Sequence, residues 1–318
     1  MRARAGLTLI ELLLAMIVGL VVVTAASSYL RQTYRVIDGS NAREDYTRKA
    51  RFLGIALRRD LGEAGVGIES MKSFGSVAVW NDTIVVLKVP YEPNVEPAYN
   101  VGTGGATVTT QTSCGNTCLR LRRTAPGVAL NLQPGMVARI QKTNYRRLVV
   151  VNTVGAGAAS DSIAVTFRNV TGTGGIMKRH SISQSTSGSS PGPVPSITNA
   201  NTTVQRLDMV AYWRDNSNNL WRATRIDPAT GNFSNAEVVA TGCSDFQVQL
   251  AFMDGGIANN ADSTTTNRRF NQINAVIVRA EFRSDFTDPR INGGQPLKRT
   301  FTYRVQPRNL IYERNRDN

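Results

Sequence analysis

The chain has 318 residues, a formal charge of +14 and 41% hydrophobic residues, enough for one large or two modest domains. Abundant Val, Thr, Ser, Asn and Gly argue for a mostly β body. An aromatic content of 7% argues against a large aromatic core, and the single histidine excludes a usual zinc site. The basic balance attracts nucleic acid, anionic lipid or an acidic protein partner without choosing among them.

The first element is the run from Leu7 to Leu30, apolar apart from Thr8, Glu11, Thr24, Ser27 and Ser28. It is long enough to cross a hydrocarbon core of roughly 30 Å. Glu11 is its anomaly, because a carboxylate in a bilayer helix is penalised by roughly 2.5–3.5 kcal/mol even on lenient scales. A secretory signal cut near Val23-Thr24-Ala25, or a plain anchor, has no use for that acid. Cleavage ahead of the apolar run explains it. A cut after Gly6 frees an amine on Leu7, and Glu11 can pair with such an amine on a neighbouring helix and fix the register of packing.

The string Gly6-Leu7-Thr8-Leu9-Ile10-Glu11 resembles the type IV prepilin processing motif. The resemblance implies that a prepilin peptidase cuts between Gly6 and Leu7 and N-methylates Leu7. The family usually has Phe where this chain has Leu7. It also implies residence in the inner membrane before assembly into a filament. Residues 1–6 are then a leader. Arg2 and Arg4 before the span place the N-terminus in the cytoplasm, with the rest exported.

Residues 7–30 are expected to form the transmembrane and filament-core helix, and 31–64 an amphipathic one. Tyr46, Ala50, Leu53, Leu57 and Leu61 recur at helical spacing on one face. Arg43, Arg48, Lys49, Arg51, Arg58 and Arg59 occupy the others. Asp38-Gly39-Ser40-Asn41 is a place where the helix can break, with Asn41 and Glu44 spaced as a capping box. No proline lies between Leu7 and Leu61, so a continuous or gently bent helix is favoured. Gly62, Gly65 and Gly67 mark its end.

Beyond the helix, the predicted strands are Thr83–Val89, Leu119–Arg122, Val137–Gln141, Leu148–Val151 and Ile163–Phe167. The continuous apolar run over 83–87 predicts a strand buried on both faces. These belong to an inserted β lobe, 65–180. A Ser/Gly/Pro-rich stretch at 181–200, with His180 at its edge, is too poor in apolar residues to order itself. It is expected to be either a flexible surface loop or a flexible linker between that lobe and a C-terminal β lobe, 201–318. There, Asp208–Arg214 and Leu220–Thr224 predict a hairpin around Asp215–Asn219. Phe246–Phe252, Asn274–Phe282 and Thr300–Val305 complete the lobe. The fold class is α+β, a long helical spine carrying a mostly antiparallel β head.

Cys114 and Cys118 are expected to close a small disulfide loop in an oxidising compartment. Two free thiols, or pairing to Cys243, are the alternatives.

The C-terminal segments YWR (212–214), LWR (220–222), Cys243–Gln249, the 275–283 strand and FTYRVQPRNL (301–310) resemble PilW-type minor pilins. The string Arg59-Asp60-Leu61-Gly62-Glu63-Ala64-Gly65 resembles that family's helix end. The resemblance implies a non-enzymatic subunit near a pilus tip that primes assembly. Its partners would be other minor pilins, the major pilin and a tip adhesin, and its final location an extracellular pilus. J-type pseudopilins of type II secretion share much of this plan but are generally shorter.

No catalytic motif is present, and no cofactor is implied. Asp254, Asn259, Asn260 and Asp262 form an oxygen-rich loop without EF-hand spacing, so turns explain them better than calcium. Five basic pairs (Arg122-Arg123, Arg146-Arg147, Lys178-Arg179, Arg268-Arg269 and Lys298-Arg299) form a DNA-contacting face if they cluster, as on a competence pilus. Scattered, they are solvated charge facing acidic partners.

Overall fold

The computed structural model describes residues 8–68, 75–90, 99–101, 119–122, 131–142, 145–156, 162–169, 203–261, 267–285, 287 and 292–310. The chain divides into two compact units. One comprises Met1–Arg48 with Arg283–Arg299, the other Lys49–Phe282 with Thr300–Asn318.

Helix α1 runs unbroken over Leu9–Gly62, 54 residues, or roughly 80 Å at 1.5 Å per residue. It passes through Asp38–Asn41 without interruption, as the lack of proline predicts. Its N-terminus is a capping box, for which Thr8 and Glu11 have the spacing. Glu11 Oε2 accepts from the Thr8 backbone N–H at 3.0 Å, and Thr8 Oγ1 accepts from the Glu11 N–H at 3.4 Å.

The amphipathic stripe is buried as predicted. Leu53, Leu57 and Leu61 are fully buried, Ala50 and Tyr46 nearly so. Beyond Gly62 the chain turns into the sheet, where the Gly65 N–H donates to the Leu87 carbonyl at 3.0 Å. At Gly67 the backbone has φ +66°, and a Cβ there would lie 2.8 Å from Val89, so glycine is required on both counts.

The strands are β1 (Val77–Trp80), β2 (Thr83–Lys88), β3 (Tyr99–Val101), β4 (Leu119–Arg122), β5 (Val137–Lys142), β6 (Tyr145–Ala156), β7 (Ser162–Asn169), β8 (Thr203–Arg214), β9 (Leu220–Ile226), β10 (Phe233–Ala240), β11 (Cys243–Phe252), β12 (Ile257–Ala258), β13 (Ile273–Arg283) and β14 (Lys298–Val305). Two sheets result. The larger has ten strands, β1 to β10; the smaller runs β12-β11-β13-β14. β2 has neighbours on both sides and buries Ile84, Val85, Val86 and Leu87 consecutively, which accounts for its unbroken apolar run. Asn81 and Asp82, with φ of 46° and 56°, form the β1–β2 turn. Two left-handed residues are what a two-residue primed turn demands.

Strand β8 is the seam of the large sheet. Its first half pairs with β3 and β5, its second half with β2 and β9. Strands from the expected lobes 65–180 and 201–318 therefore meet at β8. Residues from both sides of the 181–200 stretch share one sheet, and that stretch itself lies outside the described residues. A polar, Ser-rich composition suits a loop between two strands as well as a linker between two lobes, and does not choose between them. Leu121, Ile140, Val149, Val151, Phe167 and Val204 form one buried cluster spanning the stretch.

Candidate functional site

The N-terminal segment presents apolar side chains outward. Leu9 through Val23, Tyr29 and Leu30 are exposed, and α1 contains a run long and apolar enough to cross a membrane. Gly6 and Leu7, the predicted cleavage pair, lie outside the described residues. Glu11 stands in the first turn of the helix, held by Thr8 through the capping contacts above and a third bond from Thr8 Oγ1 at 3.1 Å.

Cys114 and Cys118 also lie outside the described residues. Cys243 is free and buried, and burial pushes its thiol up to about 12. Such a thiol is unreactive at neutral pH.

The C-terminal end of α1 carries a buried polar junction. Asp60 is 4% exposed. Its Oδ2 accepts from the Tyr212 hydroxyl at 2.5 Å and from Arg222 Nε at 2.8 Å, and its Oδ1 accepts from Arg59 Nε at 2.9 Å. Tyr212 and Arg222 sit directly opposite each other across the β8–β9 pair, so the hairpin presents both donors to one carboxylate. The hairpin turn is fixed by Asp215, whose carboxylate accepts from the Asn219 N–H at 2.8 Å and the Trp221 indole at 2.8 Å.

Burial alone would raise the Asp60 pKa. The hydrogen bonds from Arg222, Tyr212 and Arg59 outweigh it and hold the carboxyl below the usual range. Burial and the bond to Asp60 raise the Tyr212 phenol in turn.

A cleft of about 650 Å³ opens beside this junction. Most of its charges are paired within the protein. Arg222 also pairs with Glu237 at 3.0 Å, Lys88 pairs with Glu63, Arg206 with Asp208 at 3.2 Å, and Arg225 donates to Gln133 at 2.6 Å. This arrangement joins helix to sheet and leaves little charge for a ligand. In the sequence Asp60 stands out only through the resemblance carried by residues 59–65. The signal that would have singled it out is electrostatic: an acid in the last turn of a helix opposes the macrodipole and calls for a cation.

In the oxygen-rich loop Asp262 lies outside the described residues, and Asp254 is taken by a side chain. Asp254 binds Arg268 Nη1 through both oxygens, at 3.0 and 2.9 Å, and the guanidinium lies 5.0 Å from the centre of the Phe252 ring. A positive group already stands against Asp254, and the Asn259 side-chain oxygen accepts from Gln249 at 3.1 Å. Among the described residues no cluster of His, Cys, Asp and Glu could hold a metal. Arg268 is thus committed internally, while Arg123, Lys178, Arg179 and the side chains of Arg122, Arg146 and Arg147 lie outside the described residues.

Residues 1–27 match the family model described as the prokaryotic N-terminal methylation motif. The match covers the segment carrying Gly6, Leu7 and Glu11. Together with a long apolar helix and an antiparallel β head, it supports a type IV prepilin-like protein. The motif implies processing by a prepilin peptidase, and the helix is consistent with membrane anchoring. No curated protein and no solved structure among those compared matches the chain.

Proposed function

We propose that this protein is a PilW-like minor pilin, a non-enzymatic subunit that helps prime type IV pilus assembly and sits near the filament tip. The observation that carries the reading is the methylation motif at the head of one unbroken helix that runs on into a large β head. The C-terminal segments resembling PilW-type pilins support the finer assignment. The chain would be held in the inner membrane with its N-terminus cytoplasmic and its head exported. After cleavage between Gly6 and Leu7 and methylation of Leu7, it would join other minor pilins, the major pilin and a tip adhesin. Its mechanism is packing, with the apolar helix in a bundle, Glu11 registering against a neighbour's amine, and the head selecting partners.

A tip pseudopilin of a type II secretion system is the second reading, because the methylation motif serves both systems equally. A deletion strain separates them when surface pili are counted by electron microscopy and secreted proteins assayed in parallel. Lost pili with normal secretion is the expected result. Normal pili with failed secretion would move the protein to the pseudopilin class.

A further inference from the structure

The final turns of α1 have a second face. While Leu53, Leu57 and Leu61 are buried, Phe52 is 58% and Ile55 69% exposed. These two apolar side chains lie well past the membrane run that ends at Leu30, in the part of the helix that packs on the head. Around them on the same face stand Arg51, Arg58 and Arg59, all exposed. Spacings of three, four and seven residues bring Arg51, Phe52, Ile55, Arg58 and Arg59 into one contiguous patch.

Arg59 is paired with Asp60, which it shares with Arg222. Arg51 and Arg58 have no acidic partner among the described residues. The patch therefore combines a large aromatic, a branched aliphatic and two uncompensated guanidinium groups. That composition is enriched where one protein covers another, since aromatic and Arg side chains anchor interfaces. A solvated helix face has no need to place Phe and Ile outward.

We propose that this patch docks a different subunit of the same assembly through a surface that presents Asp or Glu carboxylates beside apolar side chains. Charge complementarity selects that occupant. A second copy of this chain is a poor one, because the protein carries +14 overall and would set positive charge against positive charge. The proposal rests on the reading that the protein co-assembles with other subunits, but does not depend on whether the assembly is a pilus or a pseudopilus.

The test places a photo-crosslinking amino acid at Ile55 of the full-length chain in its own host membrane. The expected product is an adduct with one other membrane-anchored subunit, the linked peptide containing Asp or Glu. The double variant R51E/R58E should lower its yield about tenfold or more, with the amount of processed protein unchanged. Replacing the partner's linked acid by Arg should restore the adduct to R51E/R58E. An adduct of the chain with itself, linkage to lipid alone, no adduct, or an adduct indifferent to R51E/R58E overturns the proposal. Lost pili on deletion without any adduct would leave the minor-pilin reading intact and remove this surface. An adduct with normal pili would do the reverse.

Discussion

Tyr212 donates its hydroxyl to Asp60 at 2.5 Å across 152 positions of sequence, and with Arg222 it fastens the end of the helix to the sheet. Removing the carboxylate leaves the partly buried Arg222 guanidinium with Glu237 alone as acidic partner among the described residues. Breaking a buried pair from one side costs about 3–5 kcal/mol. The expected loss for Asp60→Ala is about 3 kcal/mol, since Glu237 compensates in part. Tyr212→Phe removes one hydrogen bond to a charged group and should cost about 2 kcal/mol. Denaturant unfolding of the full chain in detergent, followed by the fluorescence of the nearby stacked Trp213 and Trp221, measures both. Equal and negligible effects would show that the junction adds no stability.

The same junction sets an acid dependence. The Asp60 carboxyl titrates below its ordinary value when folded, so the folded state binds its proton less readily than the unfolded state does. A depressed folded pKa contributes stability above the unfolded value, about 3.9, and loses it as pH falls through the folded value. The melting temperature should therefore be insensitive to this group above about pH 5 and should fall below about pH 4. Asp60→Asn should start lower and decline less steeply over that acidic range. Parallel slopes for the two proteins would assign the acid loss to other carboxylates.

Gly54 and Tyr303 are fitted to each other. A Cβ on Gly54 would meet Tyr303 Cε1 at 2.8 Å, while the Tyr303 hydroxyl donates to the Ala50 carbonyl at 2.6 Å. Gly to Ala in a helix ordinarily stabilises by about 1 kcal/mol. Here the ring is pinned at its far end, and overpacking of this kind costs about 1–3 kcal/mol. Gly54→Ala should thus destabilise by about 1 kcal/mol. In a Tyr303→Ala background the same change should become neutral or favourable. A thermodynamic cycle over the four proteins gives the coupling, and additivity would mean that the ring moves aside freely.

The helix was legible in the sequence because its signals are local. The apolar run, the stripe from Tyr46 to Leu61 and the absence of proline act within a few turns. The β8–β9 hairpin was legible for the same reason, with Asp215–Asn219 between two apolar strands. The joining of β8 to strands from both sides of residues 181–200 was not. Sheet partners are set by long-range packing that leaves no mark in the intervening composition. Asp60 was hidden likewise, because its donors Tyr212 and Arg222 lie on distant strands and become neighbours only through the β8–β9 register. At the N-terminus the local signal was present and passed over, since Thr8 and Glu11 have capping-box spacing.

That capping box gives Glu11 two separable roles. One is local, closing the first turn with Thr8; the other, proposed, is to meet the freed amine of a neighbouring helix. Glu11→Gln keeps an oxygen acceptor for the Thr8 N–H but removes the charge. Thr8→Ala does the opposite, keeping the charge while losing a cap worth about 1 kcal/mol. If registration by charge governs assembly, Glu11→Gln and Glu11→Ala should both reduce incorporation into sheared filaments severalfold, with Thr8→Ala near normal. Immunoblots of filament and membrane fractions give the ratio, and loss of residues 1–6 by intact mass confirms that processing is unchanged. Were Thr8→Ala as defective as Glu11→Ala while Glu11→Gln assembled normally, the carboxylate would be acting as a helix cap, and the register would have to come from the apolar packing of Leu12–Val23 alone.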